Sequence, residues 1–230
     1  TEKIKNYRLI MMDQNEKKLN VAKAAVKHIH NDCLLGMGTG STVNFLIDLL
    51  PEIKNKISAV ASSSVQTENL LKMNGFEVQA LNQLGMLDLY IDGADEATKN
   101  LHLIKGGGGA LTREKILAEN SKKFICIADE TKLVKRLGIF PLPVEVIPMA
   151  RSFVSREIIK YQGKPVYREN FVTDNGNEII DIHNLDIVDP IQVENDLNQI
   201  PGVVTVGIFA RRKADVLLIA GEHGVDEIYP

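Results

Sequence analysis

The 230 residues are 44% hydrophobic and 25% charged, enough chain and apolar material for one large globular domain or two small ones. A net charge of −3 and a pI near 6.0 give no overall basic field, so nucleic acid is not the default partner and an anionic ligand must be met by local groups. Cys33 and Cys126 make neither a disulfide framework nor a metal spacing, and no apolar run reaches the ~18 residues of a membrane span, which points to a reducing, cytoplasmic setting.

Residues 1–10 precede Met11-Met12 and are set aside as an extension of engineered or processed origin. From Glu16 on, Leu19, Ala22, Val26 and Ile29 recur at spacings of three and four, the stripe of an amphipathic helix. A short strand over 33–36 runs into Gly36-Met37-Gly38-Thr39-Gly40-Ser41-Thr42, and a second helix extends to about residue 50. The strand 57–61 ends in Ser62-Ser63-Ser64, ahead of a helix over 65–73. The strand 87–91 ends at Asp92, residues 103–104 enter a four-glycine loop, a helix covers 111–121, and 124–128 is a buried strand.

Past Pro141 and Pro143 the rhythm changes. The pattern predicts a strand over 144–147, a helix over 150–161, and strands 166–172 and 179–183 joined by the hairpin turn Asp174-Asn175-Gly176-Asn177. Val193, Leu197 and Ile200 mark another helix, and a strand over 203–209 completes a β-α-β-β-α-β order. The run 216–220 is expected to return to the first sheet. The predicted fold is therefore α/β: a Rossmann-like, mostly parallel sheet with helices on both faces, plus a smaller α+β ferredoxin-like (βαββαβ) domain. The expected division is a catalytic domain over 13–140 with 214–230 returning to it, and a smaller domain over 141–213.

Several segments have the makings of a site. The turn from Gly36 to Thr42 lies between a strand and a helix, where backbone amides, the helix N-terminus and the hydroxyls of Thr39, Ser41 and Thr42 suit a phosphate. It is not a Walker loop, since no Lys precedes the Ser/Thr, and its third glycine falls one residue early for a dinucleotide fingerprint. A plain strand-to-helix turn accounts for the glycines alone. Ser62-Ser63-Ser64 stands at another strand end, to bind sugar or to cap a helix through Ser64.

Asp92-Gly93-Ala94-Asp95-Glu96 crowds three carboxylates at a strand end, which drives their proton affinities apart; a solvated acidic turn is the plain alternative, and His102 is the one local candidate to complete a metal set. In Lys105-Gly106-Gly107-Gly108-Gly109-Ala110-Leu111-Thr112-Arg113-Glu114-Lys115, the glycines are costly to order and favour close approach to a ligand. Glu114 has two readings: a group reaching back over the glycines, or a surface carboxylate paired with Arg113 or Lys115. Ala128-Asp129-Glu130-Thr131-Lys132 offers another strand-end lysine, or a helix start capped by Thr131. His28, His30, His183 and His223 are given no role, and Arg211-Arg212-Lys213 reads as a solvated connection.

Taken together and in this order, these five motifs closely resemble the type A ribose-5-phosphate isomerase family, from about Glu16 to the C-terminus. The resemblance extends to Phe140-Pro141-Leu142-Pro143-Val144-Glu145-Val146 and Asp174-Asn175-Gly176-Asn177. Gly109 departs from it, standing where many members have Ala, which would loosen the loop. The resemblance implies interconversion of ribose 5-phosphate and ribulose 5-phosphate through a cis-enediolate, in the pentose phosphate pathway, with no metal or organic cofactor and in a homodimer. By that likeness Glu114 is the base between C1 and C2, Lys105 stabilises the oxyanion, and Asp92 and Asp95 serve ring opening and the sugar oxygens. Substrate binding falls to Gly38, Thr39, Gly40, Ser41, Thr42, Ser62, Gly93, Ala94, Gly106 and Gly107, with Lys18 and Lys132 at the phosphate. Two other classes use related folds. A sugar-phosphate sensor would need the cradle but not Glu114, and an enzyme like the CoA transferases would use a glutamate nucleophile and CoA.

Overall fold

The computed structural model describes residues 13–230, so the extension over residues 1–10 lies outside the described residues. Helix α1 (Gln14–Val26) starts on an Asp13 cap whose carboxylate accepts from the Glu16 amide. Strand β1 (Cys33–Met37) leads to α2 (Ser41–Leu49), then β2 (Ile57–Ser62), α3 (Val65–Met73) and a single turn, α4 (Leu81–Leu84). Next come β3 (Leu87–Asp92), the short β4 (Glu96–Ala97) and β5 (Leu103–Ile104), α5 (Leu111–Glu119) and β6 (Ser121–Asp129). The last third contains β7 (Leu142–Val146), α6 (Arg151–Lys160), β8 (Lys164–Tyr167), β9 (Glu178–His183) and α7 (Pro190–Asn198). Strands β10 (Val203–Val206), β11 (Ile208–Phe209), β12 (Val216–Gly221) and β13 (Gly224–Ile228) finish it.

Six strands form the main sheet in the order β13-β12-β6-β3-β1-β2, parallel except for the β12–β13 hairpin. Its strands are apolar at successive positions because both faces are covered. Leu89, Ile91, Ile125, Ile127 and Leu218 meet α1, α2 and α3 on one face. Their neighbours Tyr90, Phe124, Cys126 and Leu217 meet α5 and a three-stranded sheet, β11-β5-β4, on the other. Tyr90 and Phe124 are fully buried with ring centroids 5.0 Å apart, and each such side chain contributes about 1.5–3 kcal/mol by leaving water. The third sheet runs β10-β7-β9-β8, wholly antiparallel and covered by α6 and α7 over its own apolar core, the ferredoxin-like arrangement.

Four details depart from the sequence expectation. The buried stripe of α1 is Val21, Ala22 and Ala25 rather than Leu19, Ala22 and Val26, and Ile29 is buried beyond the helix end. The strand expected over 166–172 stops at Tyr167, so residues 168–177 form a long connection and Asp174-Asn175-Gly176 turns within it, not at a tight hairpin. The strand expected over 203–209 breaks at Gly207, whose amide donates to Pro143 O (2.7 Å) and whose carbonyl accepts from the Lys105 amide (2.9 Å), so its halves join different sheets. Strand β13 is amphipathic and half exposed, and its weak pattern escaped the sequence reading.

Candidate active site

The carboxyl ends of β1, β3 and β6 converge on one cleft, where an open parallel sheet gathers its ligands. Gln14 and Lys18 from α1, Thr39 to Val43, Gly93 to Asp95, Lys105 to Gly108, Glu114, Ala128, Asp129 and Lys132 line it. The sequence-derived set is thus largely brought together; Gly38, Ser62 and Asp92 do not line the cleft.

At its inner end three ionisable groups are packed with almost no water. Lys105, Asp92 and Glu114 are 2%, 0% and 3% exposed. Lys105 Nζ lies 2.7 Å from Asp92 Oδ2, 3.4 Å from Glu114 Oε2, and donates to the Gly93 carbonyl at 2.5 Å. Asp92 is fully engaged: Oδ1 accepts from the Thr39 amide (3.0 Å) and the Gly93 amide (2.7 Å), and Oδ2 from Tyr90 Oη as well as Lys105. Such a carboxylate has no lone pair left for a sugar. Its close fit needs Gly38, since a Cβ there would stand 1.9 Å from Asp92 Oδ1.

Glu114 differs. The residue lines the cleft, and its Oε2 is buried and accepts no hydrogen bond from the described residues. Burial and the nearby Asp92 charge push its carboxyl up to about 8, against the opposing pull of Lys105. Burial works against the charge on Lys105, but Asp92 and Glu114 outweigh it and raise the ammonium above its ordinary range. The surface pairing considered for Glu114 is absent: Lys115 turns to Glu194 (2.6 Å) and Arg113 to the Asp174 carbonyl and Asn175.

Asp95 lines the cleft and accepts from the Gly107 amide at 2.8 Å, while Glu96 faces away and accepts from the amides of Gly138 and Phe140 at 2.7 and 2.6 Å. Gly109 has φ +81°, and a Cβ on it would stand 2.2 Å from Phe171 Cζ, so glycine here fits a left-handed turn under an aromatic ring and does not loosen the loop.

The outer end is more open. Helix α2 begins at Gly40 with no side-chain cap, and its first turn lines the cleft beside Lys18, whose Nζ donates to Ser41 Oγ at 2.9 Å. Uncapped amides, two hydroxyls and the ammonium groups of Lys18 and Lys132 are the kinds of donor an anion needs. Asp129 caps the short 3₁₀ turn that presents Lys132, a role the sequence reading gave to Thr131. Ser64 caps α3, and Ser63 and Ser64 both bond the Thr39 hydroxyl at 2.8 Å. The serine cluster therefore holds the first loop in place. Arg212 is not solvated either: it ties the carbonyls of Ala118 and Ser121 to Asp215.

Sequence reasoning missed Tyr90 and Gln14, although both were signalled. Tyr90 precedes Asp92 by two on a strand, hence the same face, and Gln14 precedes Lys18 by four on a helix.

A family model described as ribose 5-phosphate isomerase A (phosphoriboisomerase A) matches residues 59–224. The solved ribose 5-phosphate isomerase A of Neisseria gonorrhoeae is 46% identical, with 96% of this chain and 99% of that one covered at a TM-score of 0.94. The enzyme of Methanocaldococcus jannaschii is 38% identical over 95% of this chain and 100% of that one, at a TM-score of 0.89. A D-ribose-5-phosphate isomerase solved in complex with phospho-erythronic acid is also 38% identical, with 95% and 100% covered and a TM-score of 0.92. With a buried Lys–Asp–Glu cluster at one end of its cleft and these likenesses along nearly its whole length, the chain belongs to the ribose 5-phosphate isomerase A family and is an aldose–ketose isomerase.

Proposed function

We propose that Glu114 transfers the proton between C2 and C1 of open-chain ribose 5-phosphate, with Lys105 facing the oxygen that gains charge. In the aldose-to-ketose direction Glu114 takes the C2 proton, the electron pair forms the C1–C2 double bond, and the C1 carbonyl oxygen becomes the enediolate oxyanion. The proton on O2 then passes to O1 while Glu114 returns its own to C1, leaving the carbonyl at C2. A weakly acidic C–H needs a base whose proton affinity lies near the working pH and a cation where charge appears. The observation that carries this assignment is the buried Glu114 Oε2, which accepts no hydrogen bond from the described residues and lies 3.4 Å from Lys105.

Asp95, which lines the cleft, serves the ring oxygen and the O1–O2 proton shift. Asp92, with both oxygens engaged, orients Lys105 rather than touching sugar. The phosphate rests on the first turn of α2, Lys18 and Lys132. The relative captured with phospho-erythronic acid supports a ligand with anionic groups at both ends, matching a cleft with cations at both ends. The buried free thiols of Cys33 and Cys126 are in keeping with a cytoplasmic enzyme.

The test is Glu114→Gln, assayed for ketose formation from ribose 5-phosphate and for substrate binding. Binding is retained while turnover falls by on the order of 10² to 10⁴. Turnover near that of the unaltered enzyme rejects the assignment.

A further inference from the structure

The four-stranded sheet has two unlike faces. Leu142, Val144 and Val146 enter the apolar core with α6 and α7, so strand alternation turns Glu145 the other way, toward the start of α5. There Glu145 is fully buried and forms no ion pair with any described residue. It accepts instead from four neutral side chains: Thr112 Oγ1, Thr173 Oγ1 (2.9 Å), Asn175 Nδ2 (3.1 Å) and Asn177 Nδ2 (2.8 Å). Burying such a group is costly unless its partners are all in place, and more so for a charged group than for a neutral one.

The four donors come from two places. Thr112 stands two residues before Glu114 in the first turn of α5. The other three belong to segment 168–177, which also grips the glycine loop. Arg168 donates to the carbonyls of Gly106 (3.3 Å) and Gly107 (3.1 Å) while Asp181 holds its guanidinium, and Phe171 covers Gly109. Glu145 is thus the junction between the segment that fixes the loop and the helix that presents Glu114.

We propose that Glu145 is a positioning residue for the isomerisation: it locks segment 168–177 to the first turn of α5, and so sets Glu114 and the loop amides without touching substrate. The proposal rests on Glu114 as the base. A displacement of about 1 Å at such a group costs up to about 10²-fold in rate.

In the full chain, Glu145→Gln puts an amide NH₂ against side chains that are themselves donors. Turnover falls about 10- to 100-fold, while competitive inhibition by inorganic phosphate stays within about twofold, because Lys18, Ser41 and Lys132 are not among the groups that donate to Glu145. Thr112→Val, nearly isosteric but without the donor, lowers turnover in the same way, and Thr112→Ser recovers most of that loss. Where Glu145→Gln does not fold, the Thr112 pair decides. Unchanged turnover in folded Glu145→Gln overturns the proposal, as does an equal loss of phosphate affinity or a Thr112→Ser enzyme as impaired as Thr112→Val. An active Glu114→Gln enzyme would reject the base instead, whatever Glu145→Gln does.

Discussion

The two ends of the cleft solve opposite electrostatic problems. At the inner end Lys105, Asp92 and Glu114 are all but sealed from water, so each charge acts on the others through a weakly polarisable medium, and Glu114 is pushed up to about 8. At the outer end Ser41 is exposed and Lys18, Thr42 and Lys132 are half-buried, so their charges stay largely solvated. Buried charges tune a proton transfer at a fixed point; solvated ones attract and hold an anion at modest desolvation cost. Changes at the inner end should therefore appear in turnover, and changes at the outer end in affinity.

The sharpest break of this contrast is Lys105→Met. It removes the cation proposed to face the developing oxyanion and leaves Asp92 and Glu114 buried together, so kcat falls about 10³-fold in steady-state assays with little change in phosphate inhibition. A large rise in KM with kcat kept would place Lys105 with the outer group.

The next effect is on pH dependence. As the proposed base Glu114 must be unprotonated, so kcat/KM falls about tenfold per unit as pH drops below about 8. The same shift has a stability consequence of fixed sign. Its folded proton affinity, about 8, lies above the ordinary 4.5, so stability from the protonated group is present below 4.5 and lost as pH rises through about 8. Urea unfolding of the parent and Glu114→Gln across that window should show the loss in the parent alone. A flat kcat/KM profile through the window would mean that Glu114 is not the titrating base. The smallest effect belongs to Lys132→Ala: KM rises about tenfold and kcat stays within about twofold, with the difference shrinking at high salt.

Much of this was legible in the chain. Glycine runs after short apolar strands located both loops, because ordered glycines are seldom kept without a close neighbour, and the spacing from Lys105 to Glu114 spanned one loop and one helical turn. Where legibility failed, tertiary contacts overrode local pattern. Residues 166–172 are apolar enough for a strand, but Arg168 is drawn to Asp181 and the glycine-loop carbonyls, Phe171 to Gly109, and Asn170 turns at φ 55°. Local pattern also could not show that Asp92, the first acid of its motif, would be enclosed while Asp95 stayed open. That depends on the Tyr90 hydroxyl and the Thr39 amide both donating to Asp92.

Strand β12 sits between β6 and β13, so the β6 side of the main sheet is completed by residues synthesised long after β6. Until they arrive, β6 presents a bare apolar edge, open to pairing with other chains. Such distant pairing slows folding, because the loop must close before its contacts repay the entropy. This places the molecule's greatest exposure to aggregation on the ribosome and early in refolding, and makes residues 216–221 the segment whose docking ends it.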